Sequence, residues 1–320
     1  MTKLRVGLVG LGMMGRHHLR ILSELEGVTL VGIFDPASDK NTVARDFPVF
    51  LKLEDLLSCN LDYCVVAAPT AFHLEIGLKL AAAKVHALIE KPLATNSKEA
   101  ALLVNAFEKA GLIGGVGHIE RYNPAIQAMR DRIREGLIGD IYQVSTRRQG
   151  PYPARIADVG VIKDLATHDI DLTTWVTRSK YRSIFAHTSK RIGRLHEDMV
   201  VAIGILDGGI IVNHVVNWLT PFKERNTLVI GEHGALLADT LTVDLTHFEN
   251  GHVQQGWDTI SAFRGVSEGN LLRYALERIE PLKREHIEFR DAIVSGATER
   301  LITFKEGLST VEVADRMLNS

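Results

Sequence analysis

The chain has 320 residues, 46% of them hydrophobic, with 37 Lys+Arg against 39 Asp+Glu and a formal net charge of −2. That balance argues against a nucleic-acid wrapper and against a membrane-surface protein, while leaving room for a small anionic ligand held by local positive charge. The length suits two modest cores better than one large one. Cys59 and Cys64 show neither metal nor disulfide spacing and read as inert thiols in a reducing compartment. The opening MTKLRVGLVGLG reaches its glycines too early for a signal peptide, and no apolar run is long enough to cross a bilayer. A cytoplasmic protein with no membrane and no nucleic-acid partner is therefore expected.

From Leu4 to about residue 118, short apolar runs alternate with amphipathic patterns. LRVGLVG predicts a strand and MGRHHLRILSEL a helix. TLVGIFD, DYCVVAAP, VHALIE and LIGGVGH predict further strands, with helices over HLEIGLKLAAAK and KEAALLVNAFEKAG. Unbroken Val/Ile/Leu strands separated by helices predict a parallel sheet covered on both faces. After residue 120 the texture changes. NPAIQAMRDRIREG predicts a helix, DIYQVSTRRQG a strand, residues 150–160 a loop, and IKDLATHDIDLTTWVT another helix. RSIFAHTSK, DMVVAIGIL, GIIVNHVVNW, NTLVIGEHG and ALLADTLTVDL then follow with no helix between them, which predicts a mostly antiparallel sheet. Residues 280–320 read as helical again.

Gly10-Leu11-Gly12-Met13-Met14-Gly15 follows a predicted strand and opens a predicted helix. A bare GxGxxG is weak evidence, but this context is specific. The first glycine permits a tight turn, the second lets backbone approach a pyrophosphate, and the third allows close helix–strand packing. The helix start, with Met13 and Met14, then offers unpaired N–H groups and a positive dipole end. Asp35 lies twenty residues past Gly15 (35 − 15), at the end of the second strand, where an acid accepts hydrogen bonds from a ribose and repels a 2′-phosphate. NAD is expected over NADP, with Ser38 and Lys40 nearby as a reservation. The expected organisation is α/β: a Rossmann domain with a parallel sheet over 1–120, then a C-terminal α/β domain with an open, mostly antiparallel sheet over 121–320. The tail from about 300 is expected to pack back on the first domain.

VHALIE should end at the carboxyl edge of the first sheet, where ligands bind in open α/β folds. Pro92 disfavours helical geometry at Lys91, so the lysine is held extended before a helix that Asn96 or Ser97 caps. From this stretch alone an ordinary turn lysine reads equally well. Asp164 and His168 tip the balance, because in VIKDLATHDID they stand at i and i+4 of a helical pattern and so share a face. A histidine oriented by an aspartate has a pKa suited to taking a proton from an alcohol. Asp169 and Asp171 point elsewhere and read as solvated or structural. No second histidine sits at ligand spacing, so no metal is expected.

The combined pattern of Gly10-x-Gly12-x-x-Gly15, AAPTAFH with Thr70 and His73, Glu90-Lys91-Pro92, Asp164-x-x-x-His168 and PLKREHIEFRDAIVSG resembles the glucose–fructose oxidoreductase/inositol dehydrogenase/MocA family of NAD(P)-dependent oxidoreductases over essentially the whole chain. The resemblance implies a cis peptide before Pro92, a catalytic group of Lys91, Asp164 and His168, and a nicotinamide side lined by Thr70, His73 and Glu90. VGHIERYNPA, RQGPYPARIADVGVIKDLATHDIDL and NWLTPFKERNTLVIGEHGAL further resemble the branch that oxidises UDP-N-acetylhexosamines at C3, with Lys163 as a departure. It implies oxidation of UDP-N-acetylglucosamine to a 3-keto sugar nucleotide, an aminotransferase as a pathway partner, and a homodimer or homotetramer. The family equally embraces other sugars, sugar acids and cyclitols, and a non-catalytic NAD sensor is the alternative from another class.

Arg121, Asn123, Arg148, Arg155 and Lys163 are expected to supply charge and donors for a diphosphate around the crevice mouth, each with a solvated or salt-bridged surface charge as its bland alternative. Tyr122 stacks on a uracil or, the favoured reading, packs between domains. His118 reads as a satisfied polar group, His17 and His18 as structural, and His187, His214 and His233 give no constellation.

Overall fold

The computed structural model describes residues 3–36, 44, 46–153, 159–251 and 268–320. The chain divides into two compact units, one of residues 1–119 and 280–315, the other of residues 120–279 and 316–320.

In the first unit, β1 (Leu4–Val9), α1 (Met13–Glu24), β2 (Val28–Phe34), β3 (Val49–Phe50), α2 (Leu53–Leu57), β4 (Tyr63–Val66), α3 (His73–Ala82), β5 (His86–Glu90), α4 (Ser97–Ala110) and β6 (Gly114–Gly117) are joined by the helices Pro281–Ser295 and Phe304–Leu318. The strands form one parallel sheet in the order β3-β2-β1-β4-β5-β6, the Rossmann arrangement. All four residues of β4 are buried, as a strand covered on both faces requires. The core joins Val6, Leu8, Val65 and Leu88 to Phe289 and Leu301. The Tyr63 and Phe289 rings meet edge to face with centroids 5.4 Å apart. α4 is capped by Asn96, which accepts from the Glu99 N–H at 3.0 Å, and it stops at Gly111 with φ +67°.

The second unit contains α5 (Pro124–Arg134), β7 (Ile141–Pro151), α6 (Thr167–Thr177), β8 (Tyr181–Ser189), β9 (Met199–Leu206), β10 (Ile211–Asn217), β11 (Leu219–Gly231), β12 (Gly234–Asp239), β13 (Asp244–Asn250) and β14 (Glu268–Tyr274). Its eight strands lie in the order β14-β13-β12-β11-β7-β10-β9-β8, antiparallel throughout except for the parallel β7–β10 pair. β9 alternates with a period of two: Val200, Ala202 and Leu206 are buried, while Val201, Ile203 and Ile205 are exposed. ALLADTLTVDL, expected as one run, is two strands broken at residues 240–243, where Val243 takes φ +59°. β11 starts well before the expected Asn226, and β14 has no counterpart among the expected strands. Among the described residues, no helix is long and apolar enough to cross a membrane.

Candidate active site

In the first unit the glycine loop follows β1 at the point where strand order reverses between β1 and β4. Gly10 has φ +93°, and a Cβ there would lie 2.5 Å from the Ala67 carbonyl oxygen in the loop after β4. A Cβ on Gly15 would lie 2.0 Å from the Gly10 carbonyl oxygen. At Gly12, by contrast, an added Cβ meets nothing within 4 Å. Gly12 is also the N-cap of α1, whose first turn carries neither a side-chain cap nor an acid. Met13 is exposed, Met14 half-buried and Gly15 buried. The helix start is thus open and donor-rich, which fits the diphosphate of a dinucleotide.

Asp35, buried at the end of β2, accepts the Leu11 N–H at 2.7 Å, so the acid and the glycine loop hold one another. Ser38 and Lys40 lie outside the described residues. Thr70 opens a short turn, Thr70–Phe72, after β4. The His73 ring lies 3.0 Å from the Ala68 carbonyl through Nε2 and 3.0 Å from the Pro92 carbonyl through Nδ1. It therefore ties the loop after β4 to the loop after β5. A neutral ring donates to only one of those carbonyls. Burial holds the His73 pKa below its ordinary value, although both carbonyls pull the other way.

The Lys91–Pro92 peptide is cis, as the family resemblance implies. Glu90 at the end of β5 accepts the Lys91 N–H at 3.2 Å on Oε2 and bonds His18 Nε2 at 2.9 Å on Oε1. Burial pushes this carboxyl up; the His18 hydrogen bond and charge, then Lys91, outweigh it and hold its pKa below the ordinary range. His18 bonds His286 in turn, at 2.8 Å. The sequence gives no sign of this pair, because 268 residues separate the two.

In the second unit, the Asp164–His168 segment differs from the regular helix expected. Residues Ile162–Ala166 form a π-helical turn, with the Thr167 N–H reaching the Ile162 carbonyl, before α6 begins. π turns recur at functional sites because they widen the helix locally. Four residues remain close to one turn in either geometry, so Asp164 and His168 still lie on one side. Glu197 anchors the start of this turn: its carbonyl accepts the Val161 N–H and its carboxylate the Ile162 N–H, both at 3.0 Å. Gly160 makes this approach feasible, since a Cβ there would sit 2.1 Å from the Glu197 carboxylate. Asp164 is half-buried and His168 is buried. Lys163 lies in the same turn, half-buried, and its carbonyl accepts the Thr167 hydroxyl at 3.0 Å.

Two of the arginines expected at a crevice mouth, Arg121 and Arg148, are buried and ion-paired within the second unit. Arg121 is 3% exposed and bidentate to Asp171, at 2.8 and 2.6 Å. Arg148, equally buried, bridges Glu120 and Asp169 at 2.9 Å each. Both guanidiniums face acids of their own unit because burying such a charge demands a partner. Burial pushes the Asp169 carboxyl up despite Arg148, whereas for Glu120 the Arg148 charge and hydrogen bond prevail and hold it down. Asp169 and Asp171 are accordingly structural. Tyr122 is buried in the turn Ile119–Tyr122. Asn123 caps α5, accepting from Ala125 N–H at 3.0 Å and donating to the Thr240 carbonyl at 3.1 Å. Arg155 lies outside the described residues. Among the described residues, no group of three or more His, Cys, Asp or Glu is placed to hold a metal ion.

A Rossmann unit with an open glycine loop, followed by a unit built on an open, mostly antiparallel sheet, defines an NAD-binding oxidoreductase. Residues 4–118 match the model of the oxidoreductase family with an NAD-binding Rossmann fold, and residues 126–237 that of the GFO/IDH/MocA C-terminal domain. The chain belongs to the GFO/IDH/MocA oxidoreductase family. It is 31% identical over 183 residues to UDP-N-acetylglucosamine 3-dehydrogenase of Acidithiobacillus ferrooxidans, a match spanning 55% of this chain and 55% of that relative. It is 29% identical over 197 residues to the rhizopine catabolism protein MocA of Rhizobium meliloti, covering 59% of this chain and 62% of that protein. Each match spans less than two thirds of the relative's length. A solved structure of the Acidithiobacillus ferrooxidans dehydrogenase superposes with a TM-score of 0.86 at 25% identity, covering 99% of this chain and 97% of that one.

Proposed function

We propose that the chain oxidises a secondary alcohol of a sugar with NAD, and that its substrate is UDP-N-acetylglucosamine, oxidised at C3 to the 3-keto sugar nucleotide. The observation that carries the substrate assignment is the similarity to the Acidithiobacillus ferrooxidans UDP-N-acetylglucosamine 3-dehydrogenase, at 31% identity. Asp35 supports NAD over NADP, because its carboxylate beside the glycine loop repels a 2′-phosphate. Bound NAD supplies the hydride acceptor. His168, oriented by Asp164, accepts the proton of the reacting hydroxyl. Lys91 donates a hydrogen bond to the same oxygen and stabilises its alkoxide character as the hydride leaves. Thr70, His73 and Glu90 border the nicotinamide end, and Lys163 meets the nucleotide.

The same reading carries a cytoplasmic homodimer or homotetramer, supported by the exposed apolar row Val201, Ile203 and Ile205, and an aminotransferase that consumes the ketone. The test is a single-turnover assay with NAD and a panel of UDP-sugars, free sugars and inositol, run with a ketone-trapping reagent. Product mass should fall by two hydrogens for UDP-N-acetylglucosamine. Turnover of inositol or a free sugar instead would keep the chemistry and discard the nucleotide sugar. NAD binding with no turnover of any alcohol would favour a sensor.

A further inference from the structure

The first unit buries three titratable side chains that the proposed reaction does not use. His18 on α1 is 1% exposed, and Glu285 and His286, on the Pro281–Ser295 helix, are 1% and 0% exposed. His18 contacts Glu90 directly, His286 contacts His18, and Glu285 feels the Glu90 charge. His18 Nε2 lies 2.9 Å from Glu90 Oε1, and His18 Nδ1 lies 2.8 Å from His286 Nε2. The second Glu90 oxygen accepts the Lys91 N–H. An ionised carboxylate only accepts, so His18 must donate through Nε2. The other ring nitrogen of His18 meets His286 Nε2, so the two rings and the carboxylate form one continuous hydrogen-bonded row.

Burial, then the neighbouring His18, hold His286 well below its ordinary pKa, so that ring stays neutral. Burial, then the charge on Glu90, push the Glu285 carboxyl well above its ordinary range, so it too is neutral. His286 Nδ1 and both Glu285 oxygens find no hydrogen-bond partner among the described residues. Lys91, His18, Glu285 and His73 are the charged and titratable groups that interact with Glu90, and His286 reaches it through His18. An apolar core would have served packing alone, since buried polar groups cost stability unless every one is satisfied.

We propose that His18 and His286 are positioning residues: a buried hydrogen-bond chain, His286–His18–Glu90, that holds the Glu90 carboxylate in place and so fixes the main chain of Lys91. The chain reaches Lys91 through one carboxylate, with one oxygen held from α1 and the other bonded to the lysine's own N–H. This inference rests on the reading of Lys91 as catalytic and deepens it.

The test follows the Glu90 carboxyl by carbon-13 NMR in the full chain, labelled at glutamate Cδ, with NAD bound and the signal assigned by its loss in Glu90→Gln. In His18→Leu the Glu90 midpoint should move to higher pH, by about tenfold in the dissociation constant. His18→Gln, which retains an N–H toward Glu90, should restore most of that change, and His286→Leu should move it the same way by less. In parallel, kcat on the sugar should fall about tenfold in His18→Leu with little change in sugar KM. An unmoved midpoint in His18→Leu, or His18→Gln behaving no better than leucine, overturns the chain and leaves only packing. Should His18→Leu fail to fold, an unmoved midpoint in His286→Leu overturns it instead. If the wild type turns over no alcohol, the dehydrogenase reading fails while the NMR titration still decides the chain.

Discussion

At Lys91 and His168 the two halves of the proposed chemistry can be separated from cofactor binding. Neither side chain belongs to the glycine loop or to the Asp35–Leu11 pair that holds it. Lys91→Ala and His168→Ala should therefore each lower kcat by two or more orders of magnitude, about 10²–10⁴ for a lost proton acceptor. The affinity for NAD, read by calorimetry, should change by less than about tenfold. Full turnover in both variants would remove this mechanism. The glycines, Asp35 and Lys91 are legible in the sequence because local spacing places them: a turn, a strand end, a proline. Arg121 and Arg148 are not. Their partners Asp171 and Asp169 lie 50 and 21 residues away on α6, and nothing in a single sequence distinguishes a buried bidentate guanidinium from a surface one. The tie between His18 and His286 is hidden for the same reason.

At the scale of elements, the glycine loop shows two kinds of requirement in one turn. Gly10 is needed by the fold: its positive φ and the Ala67 carbonyl at 2.5 Å leave no room for a side chain. Gly12 has open space and a negative φ, so the fold makes no such demand of it. Gly10→Ala should lower the melting temperature markedly, with a cost of roughly 1–3 kcal/mol for backbone strain. Gly12→Ala should melt within about 0.5 kcal/mol of wild type yet bind NAD at least tenfold more weakly, because its methyl group occupies space the diphosphate needs. Equal NAD affinity for Gly12→Ala and wild type would place the diphosphate elsewhere. Elements with strong periodicity were readable: the parallel strands by unbroken apolar runs, β9 by its alternation. β14 was not, because six of its seven residues are exposed and no apolar rhythm marks it. The π turn escaped as well, since i, i+4 spacing suits an α-helix equally and only the Glu197 anchor reveals the wider turn.

On the scale of the molecule, the two units should respond differently to acid. His214 on β10 lies inside the second unit, its ring 2.7 Å from the Thr146 hydroxyl and 2.7 Å from the Tyr181 hydroxyl. Burial pulls its pKa down to about 4. A histidine depressed in the folded state contributes stability that is present above its unfolded value of 6.5 and is lost as pH falls toward about 4. The loss amounts to roughly 3 kcal/mol across that window. Trp175, Trp218 and Trp257 are the three tryptophans and all lie between residues 120 and 279, so indole fluorescence follows this unit. Urea midpoints read this way should fall between pH 6.5 and about 4 in the wild type and fall less in His214→Gln; equal slopes would assign the acid sensitivity to other groups.

The first unit, in turn, is discontinuous in the chain: residues 1–119 share a core with 280–315. During synthesis its sheet emerges early, yet Phe289, Leu301 and His286 leave the ribosome only after the 160 residues (279 − 119) that intervene. At about 5–20 residues per second that interval is roughly 8–32 s. A nascent chain halted before residue 280 therefore presents an open Rossmann sheet to chaperones and proteases, and the corner bearing Lys91 is among the last parts of the protein to be completed.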